Sequence, residues 1–144
     1  MRGFQFKLEQ LLQHRKKKEE QALLEQSKAR QECDICQRQL EGTQKRYDDN
    51  MRFSETVLGS DETLRTLLYR DQLQIVINRQ KKQLQKVQEI FQVKQRETLK
   101  ACQERMVLER LKEKKLVEFK EFLAVLEQKE IDEMATLGFG RKAF

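Results

Sequence analysis

Cys33-Asp34-Ile35-Cys36 has the C-x-x-C spacing that, in suitable surroundings, forms a dithiol redox pair or half of a zinc site. A structural zinc takes four ligands, yet the chain supplies one histidine, His14, and one further cysteine, Cys102. No strand–helix–strand pattern surrounds Cys33 and Cys36, as a thioredoxin-like redox pair would require. The three cysteines therefore read as structural or surface thiols of a reducing compartment. His14 is followed by Arg15-Lys16-Lys17-Lys18, with no paired carboxylate and nucleophile nearby, so it reads as a solvated side chain rather than a general base. No catalytic residue, metal or cofactor is expected.

The next candidate chemistry is electrostatic. Residues 78–120 carry thirteen Lys or Arg against six Glu, a net +7 in a chain whose total is +6. Such a run can follow a phosphate backbone. Phe91 is the one aromatic between Arg79 and Glu118, so there is no platform for base stacking. A solvated helix face that attracts acidic protein surfaces is the simpler reading, and no nucleic acid is expected. Two acidic segments offset the basic body: residues 48–62 with a net charge of −4, and residues 121–144 with −2.

The elements that must carry these residues follow from composition. The 144 residues are 38% charged and 38% hydrophobic, with no proline and no tryptophan. That is too little apolar material for a thick core. Residues 60–137 contain neither Gly nor Pro, which excludes folds needing a turn every 8–12 residues. The abundant Glu, Lys, Arg and Gln are good helix formers, so the expected class is all-α. No apolar run approaches the length of a membrane span, and the opening residues lack a signal-peptide core, which predicts a cytoplasmic protein without direct membrane insertion.

Apolar residues of the first half recur at helical spacing through Phe4, Leu8, Leu11, Ala22, Ala29, Cys36, Leu40, Tyr47, Met51 and Leu58, interrupted by Arg15, Lys18 and Glu25. At Gly59-Ser60-Asp61 the pattern changes. Gly59 is suited to a positive φ at a helix C-terminus, while Ser60 or Asp61 can cap the next helix. The second stripe runs from Leu73, Ile77, Gln80 and Leu84 to Phe119, Phe122 and Leu126, with a competing phase through Leu99, Cys102, Met106, Leu116, Phe119, Leu123 and Leu126. A register shift after Phe91 is therefore expected. The architecture is a single long two-helix antiparallel coiled-coil hairpin: arm one about 4–58, turn 59–61, arm two about 61–137, and a flexible tail 138–144 begun by Gly138-Phe139-Gly140. Facing residues should have numbers adding to about 121–122, which sets Phe4 near Phe119 or Val117.

Two apolar groupings stand out in this hairpin. At the open end Phe4 and Phe6 meet Phe119 and Phe122, either as a plug against fraying or as an inserting tip. Helix two continues alone from Phe122 to Leu137, carrying Leu123, Leu126, Ile131, Met134 and Leu137 beside Glu127, Glu130, Asp132 and Glu133, and an unpaired apolar stripe is a docking surface. Nearer the turn, Leu40, Tyr47, Leu73, Ile77 and Leu84 form either core packing or a partly exposed groove, with Thr43, Asn50 and Asp71 diluting the seam.

The termini carry a resemblance. The opening Phe4-Gln5-Phe6-Lys7-Leu8-Glu9-Gln10-Leu11-Leu12 and the closing Glu127-Gln128-Lys129-Glu130-Ile131-Asp132-Glu133-Met134-Ala135 resemble the flagellar FliJ family, coiled-coil proteins of the bacterial flagellar type III export apparatus. The resemblance implies a non-enzymatic cytoplasmic stalk, peripheral at the inner face of the membrane. It implies binding to the hexameric export ATPase, to the membrane protein of the export gate and to export chaperones. By that likeness Phe4, Phe6, Leu8, Leu11, Ile131, Asp132, Glu133 and Met134 face the ATPase. Leu40, Tyr47, Leu73, Ile77 and Leu84 match the gate-binding pattern, from which Thr43 and Gln80 depart. A monomer is expected. The competing readings are a basic helical protein associated with nucleic acid, and a homo-oligomeric coiled-coil scaffold.

Overall fold

The computed structural model describes residues 3–56 and 59–142. Helix α1 spans Glu9–Ser54 and helix α2 spans Ser60–Lys142, and the two pack against each other as a hairpin. Leu58, expected to close the first stripe, lies outside the described residues.

The helix ends depart from the expected arms, each for a local reason. Residues 3–6 are not helical, and Lys7 and Leu8 form a turn before α1. In an extended chain, side chains two apart share a face, whereas on a helix Phe4 and Phe6 would diverge. Both rings are half-buried here, and that of Phe4 lies 5.6 Å from that of Phe119 at a tilt of 48°. The carbonyl of Phe6 accepts the Glu9 N–H (3.1 Å), and the Glu9 carboxylate sits favourably in the first turn.

Helix α1 stops at Ser54, short of the expected 58. The hydroxyls of Ser54 and Thr56 donate to the Met51 and Phe53 carbonyls (2.7 and 2.6 Å) and so satisfy groups the helix end leaves open. Gly59 is not the left-handed cap anticipated, since no described glycine has a positive φ. Its carbonyl instead accepts both the N–H and the hydroxyl of Thr63 (2.9 Å each), so Gly59 opens α2 rather than closing α1. Nor do Gly138 and Gly140 begin a tail, because α2 runs through both to Lys142. A helical Gly costs only about 1 kcal/mol relative to Ala, a penalty rather than a stop.

The packing divides the chain into two compact units, Glu19–Lys100 and a second made of Met1–Lys18 with Ala101–Phe144. In the first, an unbroken series of alternating steps of four and three links buried and half-buried residues of α1 from Ala22 to Ser54 and of α2 from Thr66 to Thr98, with Glu25, Gln44 and Val76 half-buried beside it. This is a coiled-coil seam. Its core is thin: Ala29, Leu40, Leu73, Ile77 and Val87, with Thr43, Asn50 and Thr66 buried among them. The register is fixed by direct contacts. Cys33 Sγ donates to the Val87 carbonyl (3.3 Å), Thr98 Oγ1 to the Ala22 carbonyl (3.2 Å) and Lys94 Nζ to Glu25 Oε2 (3.2 Å). These numbers add to about 120, one or two below the expected value, as a turn that begins α2 at Ser60 requires.

In the second unit the seam residues are Leu12, Ala101 and Leu108, with Leu116, Phe119 and Leu123 half-buried. Leu12 is 1% exposed, whereas Leu11, expected on the seam, is 40% exposed. The register shift anticipated after Phe91 falls later. Positions Arg105, Leu108, Lys112 and Leu116 are spaced three, four and four, an eleven-residue stutter that locally relaxes the supercoil. Without it the next seam position after Lys112 would be a second lysine, Lys115. With it, Leu116 turns inward and Lys115 faces out toward Glu118 (3.4 Å).

Candidate functional sites

The first candidate site belongs to the unit built from Met1–Lys18 and Ala101–Phe144. The extended segment and α2 enclose a cavity of about 670 Å³, walled by Phe4, Phe6, Leu8, Leu111, Phe119 and Phe122. Lys7, Lys115 and Glu118 stand among its lining residues. Here the Phe cluster leaves a concave apolar surface and does not fill its own space. Around it α1 and α2 are clamped by charge. Lys112 Nζ donates to Glu9 Oε2 (2.8 Å), and both Arg15 Nη1 (2.7 Å) and Lys18 Nζ (3.5 Å) reach Glu104 Oε2. The Lys112 hydrogen bond, aided by Gln13, holds the Glu9 carboxyl below the ordinary carboxylate value against a smaller desolvation effect.

Beyond the cavity every residue of α2 from Ala124 to Phe139 is exposed. Ile131 is 59% and Met134 71% exposed, with Asp132 and Glu133 between them. The structure thus places Phe4, Phe6 and Leu8 at the cavity and Leu11 on the outer face of α1. It sets Ile131, Asp132, Glu133 and Met134 farther along the bare helix. Leu111, a cavity wall, is the residue the antiparallel register sets near Leu11, although its spacing fits neither phase of the α2 stripe. Phe139, 77% exposed, extends the bare apolar surface past the point at which Gly138 was expected to end the helix.

The second candidate site belongs to Glu19–Lys100. Leu40, Leu73 and Ile77 are buried between the helices, while Tyr47 and Leu84 are half-buried. The seam, not an open groove, is what this cluster builds. The dilution is polar and ordered: Asn50 Nδ2 donates to the Thr66 carbonyl (3.3 Å), and Arg70 donates to Asn50 Oδ1 (3.2 Å) and Ser54 Oγ (2.6 Å). Asp71, expected to dilute the seam, is exposed instead, and Arg70 takes its place. Gln80 Oε1 is buried without a partner.

For the thiols the geometry offers little chemistry. Burial, followed by the nearby Cys36, Asp34 and Glu32, pushes the Cys33 thiol pKa up, which favours the unreactive protonated form. Among the described residues no group of three or more His, Cys, Asp or Glu is placed to hold a metal ion. No described helix is long and apolar enough to cross a membrane. On the basic stretch, Lys94, Arg105, Lys112 and Lys115 are each bridged to a glutamate.

Among known proteins, the family model described as "Flagellar FliJ protein" matches residues 4–144. No curated protein and no solved structure matches the chain significantly.

Proposed function

The chain belongs to the flagellar FliJ family, a non-catalytic component of the flagellar export apparatus, and we propose that it acts there as the stalk of the export ATPase. In this reading the hexameric ATPase receives the cavity end and the bare stretch of α2. The observation that supports it is the exposure of α2 from Ala124 to Phe139, where apolar Ile131 and Met134 alternate with acidic Glu130, Asp132 and Glu133. Apolar side chains leaving water supply affinity, and the carboxylates orient the helix against basic ring residues. A single asymmetric helix touches only some subunits of a ring at once. Its unequal binding shifts their conformational populations and so promotes assembly or turnover.

The export-gate contact is assigned in the same reading to the half-buried edges of Tyr47 and Leu84 above the buried Leu40, Leu73 and Ile77. Export chaperones complete the set of partners, and the protein works as a monomer at the inner face of the membrane. The test is the pair Ile131→Asp and Met134→Asp, assayed for stimulation of the purified export ATPase. Both side chains are exposed, so helicity by circular dichroism should be retained while stimulation is lost. Stimulation that survives the pair would falsify the assignment of this stretch as the docking element.

A further inference from the structure

Helix α2 carries a second apolar stripe on the face opposite its seam, close to its N-terminus. Leu64, Leu68 and Ile75 are 58%, 55% and 59% exposed, with Leu67 beside them at 45%. The neighbouring seam residues Thr66, Leu73 and Ile77 are buried against α1, so the two faces are distinct. This stripe is itself spaced in steps of three and four, through Asp61, Leu64, Leu68, Asp71, Ile75, Asn78 and Lys82, all exposed. That is the seam pattern of a coiled coil with no helix of this chain laid against it. No ion pair involves Asp61, Asp71 or Lys82 among those of the described residues.

Charge decides what fits. Across the hairpin's own seam the first residue of a three-residue step faces the second of one on the other helix, as Cys33 faces Val87. A second copy docking antiparallel in that way would lay Asp71 against Leu68 or Ile75, and one docking parallel would lay Asp71 against Asp71. A carboxylate held against an apolar side chain or opposed to its like is destabilising, so the stripe is a poor match for itself.

We propose that this face docks one amphipathic helix of a different protein, lying antiparallel to α2 and presenting a lysine or arginine to Asp71. Read along that helix from its N-terminus, an acidic residue meets Lys82 and an apolar one meets Ile75. The central cation meets Asp71, two apolar residues meet Leu68 and Leu64, and a basic residue meets Asp61. Acid at the N-terminal end and base at the C-terminal end also suit the partner's own helix dipole. Three or four leucine-sized side chains make a small contact, of the kind found in transient complexes. The proposal does not rest on the ATPase assignment, which concerns the other unit.

The test uses the full chain and two labelled synthetic helical peptides of about 24 residues, followed by fluorescence anisotropy. One peptide carries the pattern above with a central Lys, and the other is identical except for a central Glu. The Lys peptide should bind and the Glu peptide bind about tenfold or more weakly. Asp71→Lys should reverse that order, and Leu68→Gln with Ile75→Gln should abolish binding of both while helicity is kept. Failure of the Lys peptide to bind, or equal binding of the two peptides, overturns the proposal. So does a concentration-dependent dimer in sedimentation that Leu68→Gln removes, which would make the occupant a second copy.

Discussion

Gln80 occupies a seam step between Ile77 and Leu84, half-buried, with its Oε1 shielded from solvent and unpaired. Replacing it by leucine removes a buried acceptor and adds apolar contact in the same place. An unsatisfied buried polar group costs about 1–3 kcal/mol. Burying a leucine is worth about 1.5–3 kcal/mol relative to exposure. Each figure is roughly halved because the side chain is only partly enclosed, and part of the gain is lost to repacking of a close-fitting seam. The net expectation for Gln80→Leu is a stabilisation of about 1–2 kcal/mol, or a rise in Tm of roughly 3–8 °C for a chain of this size. Gln80→Met, nearly the same shape without the oxygen, should recover about half of that. The assay is urea unfolding followed by circular dichroism, with the midpoint raised and the slope unchanged. A midpoint that stays or falls, at constant slope, refutes the reasoning and means the amide oxygen finds a partner in solution.

Loss of stimulation by Ile131→Asp with Met134→Asp tests the ATPase end, as set out above. Lys112→Met removes the first cause of the lowered Glu9 pKa, so a carboxyl NMR titration should show Glu9 returning toward its ordinary value. A lowered carboxylate contributes stability that is present above the ordinary pKa and lost as pH falls through the folded value. The two proteins should therefore differ at neutral pH and converge in acid. Gly42 lies inside α1 with a helical φ and nothing within 4 Å of an added Cβ, so Gly42→Ala should stabilise by about 0.5–1 kcal/mol in the same unfolding assay.

The sequence by itself determined the class of this protein and most of its register. A long stretch without Gly or Pro, good helix formers and one break at Gly59 leave two helices and a hairpin as the economical solution, because three- and four-residue spacing is a property of the chain alone. It also carried the α2 seam from Leu73 to Lys112, the Phe4–Phe119 contact and the family likeness at the termini. What it did not carry is which side chains face inward toward the open end, where two phases compete. Leu11 and Leu12 are neighbours of the same type, and only the partner helix selects Leu12 for burial. Leu116 displaces Lys115 from the seam because two lysines in succession have no acceptable place between helices, a condition that exists only once α1 is there. The spacing of Leu73 and Ile77 marks their face for the seam, whereas the stripe through Leu64, Leu68 and Ile75, periodic in the same way, stands out only once that seam is formed. Docking of α1 on one of them buries it and leaves the other in water, since a helix presents its whole circumference and a single neighbour covers one side.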